Sequence, residues 1–201
     1  MHIPDGFISP QTFLPAYGVT LALWWFAVQR VKETIDAESL PLIAVASALS
    51  FVLMMVAVPL PGGTSVHALG VAMLTIVFGV WMSFLAVSLV LLMQALLFGD
   101  GGVTALPINV LGIAFLGSLT AHLIMILFRK QSDRVKYFVA GSLSVLVSSL
   151  FVAVMLGIQP MIALDDRGNP LFFPVGLEIT LPAIMIPHLI LSMAEGVLTV
   201  M

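Results

Sequence analysis

The sequence has no cysteine, and only 8% of its 201 residues are charged. Without cysteine there is no disulfide, no thiolate metal site and no cysteine nucleophile. A soluble domain carries about 25% charged residues, so this chain falls far outside that class. Its seven Lys and Arg residues form no basic patch of the kind nucleic acid requires. No GxxxxGK[ST] loop, GxSxG elbow or HExxH helix is present, so nothing supports ATP binding or hydrolytic catalysis, and an enzyme is not expected. The N-terminus lacks a positive start and a cleavage pattern, which leaves Met1 free to be the mature terminus. What the chain does have is apolar surface: 61% of residues are hydrophobic, and the mean hydropathy is +1.19. This is the composition of a polytopic membrane protein, read as one integral membrane domain over residues 1–201 in a lipid bilayer.

Apolar segments of membrane-spanning length run from Thr12 to Gln29, Ser39 to Leu60, Leu106 to Phe128, Tyr137 to Gly157 and Glu178 to Val200. The stretch Ala68 to Phe98 has 31 residues, too long for one span and short for two. Charge placement settles how to count it. Split near Gly79–Met82, it gives seven spans and puts Arg30, Lys32, Arg129, Lys130, Arg134 and Lys136 on one side, with Arg167 alone opposite. The positive-inside rule then makes the six-residue side the cytoplasm. The expected fold is therefore all-α, with seven transmembrane helices, two of them short, the N-terminus outside and the C-terminus cytoplasmic. Met1-His2, the PGGTSVH break at 61–67, the GDGG break at 99–102 and the loop Gln159–Pro174 then all face outward.

His2 follows the start methionine directly, and this places three nitrogens within reach of one ion. The Met1 amine and the His2 amide close a five-membered ring on a metal; the amide and Nδ1 of His2 close a six-membered one. So flat an array suits Ni(II), Cu(II) and Co(II). Pro4 keeps Ile3 out of helical conformation and has no N–H to compete. His67 also lies in an outward irregular segment, where Gly62 and Gly63 permit close backbone approach. The four-nitrogen set is the Met1 amine, the His2 amide, the His2 ring and the His67 ring. Since amine and imidazole must be unprotonated to ligate, affinity is expected to fall as pH drops from about 8 to 6, through the ordinary range of both groups.

Other polar residues have blander readings. His122, in mid-span, reads as a contact to a neighbouring helix. His188 and Glu195 share a helix face two turns apart, and read as an inter-helix polar contact or as a proton relay. Asp100 and Asn109 flank the GDGG break, where they order the outer loops or support a bound metal. Asp165 and Asp166 belong to a solvated turn. The 12 methionines follow no repeating spacing and fit packing better than a copper path.

The segments MHIPDGF at 1–7, VPLPGGTSVH at 58–67, GDGG at 99–102 with LPIN at 106–109, and HLILSMAEGVLT at 188–199 resemble the CbiM/NikM family. These are substrate-specific membrane subunits of energy-coupling factor transporters for cobalt and nickel. The resemblance covers nearly the whole chain. It implies seven helices, an extracellular N-terminus inserted into the protein, and nitrogen ligation by Met1, His2 and His67. It further implies Co(II) or Ni(II) as transported substrate without an organic cofactor. The implied partners are a transmembrane coupling (T) subunit and two ATPase subunits, with room for a small accessory membrane subunit, in a prokaryotic inner membrane. The family pattern continues beyond the EGxxT segment, whereas this sequence stops at Met201. Nitrogen-only ligation favours Ni(II) while the MHIPDG form leans to cobalt, so the metal stays open. The alternative reading is a stand-alone proton-coupled metal transporter built on His122 or the His188/Glu195 pair.

Overall fold

In a computed structural model, all residues are described except Thr34, Ala37 and 61–63. Ser9 and Pro10 start α1, Pro10–Val31, where proline is tolerated because the first helical N–H has no partner to lose. Helix α2 covers Ser39–Met55. The chain then leaves the helix for a small antiparallel hairpin of β1, Val58–Leu60, and β2, Thr64–Val66, in the register Val58↔Val66 and Leu60↔Thr64. The apolar run from Ser39 thus ends as strand, five residues short of the expected span. β-Branched Val58, Thr64 and Val66 favour the extended form. The positions Gly62 and Gly63 lie outside the described residues.

Residues 68–98 break at Gly79, whose φ of +80° an L side chain rarely adopts. The break separates α3, Val71–Phe78, from α4, Val80–Phe98. Two short helices were expected here; only α3, with 8 residues, is short. At 19 residues α4 is long and apolar enough to cross a membrane. The break lies ahead of the middle of the stretch and α3 starts only at Val71, so the second piece keeps full length. Interrupted backbone at depth needs protein cover, and Phe78, Trp81 and Arg30 enclose a hollow at Gly79. The final turn of α4, Gln94–Phe98, is wound as a π-helix before Gly99.

Three further helices follow: α5, Leu106–Leu127, with π-winding over Val110–Leu116; α6, Asp133–Ile162; and α7, Leu177–Val200. Four helices among the described residues, α4 to α7, are long and apolar enough to cross a membrane, while Ser39–Met55 is a shorter apolar helix. Helices α6 and α7 pack antiparallel and closely. A Cβ at Gly196 would run into Ser142 and Phe138, and Leu177 lies against Gly157 at the other end. The core joins Phe84, Val87, Ile113 and Leu156 from the helices to Met1, Ile3 and Leu69. Residues of the irregular segments are thus part of the interior.

Candidate metal centre at the buried N-terminus

Met1 and Ile3 are 0% exposed, His2 3% and His67 1%. Two clamps hold the terminal segment inside. Asn109 on α5 faces Ile3 in both directions: Ile3 N–H donates to its Oδ1 at 2.9 Å, and its Nδ2 donates to Ile3 C=O at 3.0 Å. The GDGG loop closes from the other side, with Gly102 N–H donating to Ile3 C=O at 2.9 Å. A side chain at Gly102 would collide with the backbone of Pro4 and Asp5. Asp5 accepts from Val103 N–H at 3.1 Å and Thr104 N–H at 2.7 Å, and from the Thr104 hydroxyl. Ser9 N–H, at the foot of α1, donates to Gln159 on α6 at 2.9 Å.

Inside this enclosure the Met1 amine donates to Ser65 Oγ at 3.2 Å. The hairpin that presents Ser65 also delivers His67, whose ring lies 4.5 Å from that of His2, centroid to centroid, and tilted by 42°. Nδ1 of His67 donates to Ala68 C=O at 3.1 Å. That bond fixes the tautomer and leaves the lone pair on Nε2, which is buried and has no hydrogen-bond partner among the described residues. Nδ1 of His2 lies 3.0 Å from Asp100 Oδ1, yet neither ring nitrogen of His2 makes an aligned hydrogen bond. The six-membered chelate ring needs Nδ1. The imidazole must therefore turn from Asp100 to close it, a rotation that a broad, two-fold χ2 allows.

Burial sets the protonation of these groups. It pushes the Met1 amine from 8.0 down to about 4, against the upward pull of Asp100. It lowers His2 too, with the Asp100 contact opposing. His67 falls well below its ordinary 6.5, first through burial and then through the neighbouring amine and His2. Asp100 is raised by burial, but His2 and the amine outweigh this and hold it below its usual value. Near neutral pH the amine and both imidazoles are thus uncharged and offer lone pairs. An unpaired buried ammonium would be very costly, so the enclosure selects the neutral amine. Among the described residues no three His, Cys, Asp or Glu side chains form a metal group. Any ion held here needs main-chain nitrogen beside the two imidazoles.

The other expected polar residues are placed differently. Asn109 and Asp100 both touch the terminal segment. His122 is exposed on α5, and among the described residues its expected bond to a neighbouring helix is absent. His188 and Glu195 are both buried, but Glu195 spends its oxygens on Leu69 N–H and Gly70 N–H, at 2.9 and 2.7 Å. Asp165 accepts from Arg167 N–H and Asn169 N–H within its own turn. Ser65, Asp5 and Gln159 escaped the sequence reading. A signal existed only for Asp5, an acceptor held next to Pro4 in a tight turn.

Helical architecture and membrane-length apolar helices define an integral membrane protein, and its N-terminus carries a buried cluster of uncharged nitrogens. Residues 2–201 match the family described as CbiM, cobalt uptake substrate-specific transmembrane region. The chain belongs to this family. It is 36% identical to the fused nickel transport protein NikMN of Rhodobacter capsulatus, over 99% of this chain and 59% of the relative. It is 30% identical to the cobalt transport protein CbiM of Thermosipho melanesiensis, over 100% of this chain and 83% of the relative. The chain spans about 60% of the length of the fused relatives, NikMN and the probable nickel transport protein LarMN of Lactiplantibacillus plantarum. A crystal structure of a truncated transition metal transporter superposes with a TM-score of 0.95 at 36% identity, covering 99% of this chain and 94% of that one. The family and these relatives are metal transport proteins rather than enzymes.

Proposed function

We propose that this chain is the metal-capturing, substrate-specific subunit of an ATP-driven energy-coupling factor importer for Co(II) or Ni(II). The ion binds through the Met1 amine, the amide and ring of His2, and Nε2 of His67. One observation carries this reading: a fully buried, neutral N-terminal amine beside two buried imidazoles with unpaired nitrogens. Such groups are costly to hold unpaired, and a Lewis acid is the partner their lone pairs fit. The chain crosses the inner membrane of a prokaryote seven times, N-terminus outside, with α3 as a short seventh segment. The charge bias of the helix ends supports that topology. Burial of residues 1–3 under the GDGG loop supports capture by enclosure, with a transmembrane coupling subunit and two ATPase subunits supplying the reorientation that releases the ion inward. The names of the cobalt and nickel relatives support the choice of ions.

Titration of the detergent-solubilised protein with Ni(II) and Co(II), followed by calorimetry, tests the site. His67→Ala is expected to weaken binding by more than about 100-fold, above the usual cost of losing a merely supporting group. Unchanged affinity in this variant would remove His67 from the donor set.

A further inference from the structure

Glu195 lies on α7, more than 120 residues from the hairpin, yet it is the residue that grips the His67 segment. Its Oε2 accepts Leu69 N–H at 2.9 Å and its Oε1 accepts Gly70 N–H at 2.7 Å. These are the second and third residues after His67. The carboxyl is 1% exposed and sits at the start of α3, where free N–H groups favour negative charge. On the opposite side, Ser50 Oγ on α2 donates to Leu69 C=O at 2.6 Å. The main chain of Leu69 is thereby fixed through both its polar groups. Among the described residues the His67 ring has one bond, from Nδ1 to the adjacent carbonyl, and that bond orients the ring relative to a backbone which others must hold.

We infer that Glu195 is a positioning residue for metal capture: by accepting the Leu69 and Gly70 N–H groups it holds His67 Nε2 in register with the terminal Met1-His2 chelate. This inference rests on the proposed capture site. The function it assigns is distinct from a proton relay, because both oxygens are engaged by main-chain N–H groups.

The test is a double-mutant cycle read by Ni(II) calorimetry and by the visible absorption of the Ni(II)-loaded protein. Glu195→Gln keeps the shape and one acceptor, and turns an NH2 toward the other N–H; Glu195→Ala loses both acceptors. The expected losses of affinity are about tenfold for Gln and up to about 100-fold for Ala. In a His67→Ala background neither change should weaken binding further. The Ni(II) spectrum of Glu195→Gln should shift toward that of His67→Ala, because a nitrogen donor is lost from the metal. A merely structural defect lowers the amplitude of the native spectrum without changing its shape. If His67→Ala weakens binding but Glu195→Gln keeps native affinity and spectrum, or if the two losses add fully, the positioning role is overturned and the site stands. If His67→Ala binds as tightly as the native protein, the capture site itself fails first.

Discussion

Two turn-rich segments of this protein contain much the same chemistry and behave in opposite ways. Residues 1–9 and the turn around Asp165–Pro170 both combine glycine, proline and aspartate, though the terminal segment adds Met1, Ile3, Phe7 and Ile8. In the turn, Asp165 accepts from Arg167 N–H, Asn169 N–H and Asn169 Nδ2, all within four residues, and the segment is largely exposed. Its hydrogen bonds close locally. In the terminal segment the bonds reach to Ser65, Asn109, Gln159 and the GDGG loop, and among the described residues Nε2 of His2 still has no hydrogen-bond partner. The aspartates tell the two apart. Asp165 organises its own turn, whereas Asp5 fastens one irregular segment to another about a hundred residues away. A turn that satisfies itself needs no partner. One that is held in place by the rest of the fold and still carries free lone pairs is prepared for a ligand.

Breaking the enclosure should have the largest effect. Gly102→Ala places a methyl group against the backbone of Pro4 and Asp5, which a side-chain adjustment cannot relieve. Overpacking of this kind costs about 1–3 kcal/mol. Displacement of Met1-His2 is expected to weaken Ni(II) binding by about 100-fold, measured by calorimetry on protein shown to be folded by size-exclusion chromatography. Native affinity in this variant would mean that the loop does not register the terminal segment.

The comparison can be sharpened with pH. In the folded protein the amine titrates at about 4 and both imidazoles titrate below 6.5, all lowered mainly by burial. A base with lowered pKa is already deprotonated above that value, so protons compete with metal at the amine only as pH falls toward about 4, and at both imidazoles only below their ordinary 6.5. The expected loss of affinity between pH 8 and 6 therefore has a different source from the one read in the sequence. The His2 amide is the one donor that must still give up a proton. If it ligates as the anion, affinity falls about tenfold for each unit of pH lowered from 8 to 6, with one proton released per ion bound. Calorimetry in buffers of different ionisation enthalpy counts that proton. A flat profile over this range would remove the amide from the donor set.

The smallest effect belongs to the other segment. Asp165→Ala removes an acceptor from a solvated turn and is expected to leave Ni(II) affinity within about twofold, as for surface changes away from a site. A larger loss would tie the two segments together and undo the contrast.

The nitrogens of the proposed site could be named from the sequence because chelate rings depend on neighbours: amine, amide and imidazole are adjacent in Met1-His2. His67 was singled out by its place beside turn residues in a break between apolar segments. The start and end of most helices followed from apolar runs and their breaks, and the interruption at Gly79 from the excess length of residues 68–98. What holds these groups in place was legible only in part: Asn109 was read as a residue ordering the loops and Glu195 as an inter-helix contact, but the partners of neither could be named. Ser65, Asn109 and Glu195 act across 64, 106 and 125 or more residues, and hydrogen bonds of that span leave no local pattern. The end of α2 was overrun for a related reason: Val58 and Leu60 are as apolar as helix residues, and only pairing with β2 makes them strand.

The central claim is that the free N-terminal amine, enclosed by the fold, is a metal donor. It is tested most directly by titrating Ni(II) into the native protein and into the same protein with one glycine placed before Met1. Extension converts the amine to an amide and moves the new terminus out of a fully buried position, so the account predicts that tight binding is lost while the helical fold is retained. Equal affinity in the two proteins would contradict it and place the site away from Met1.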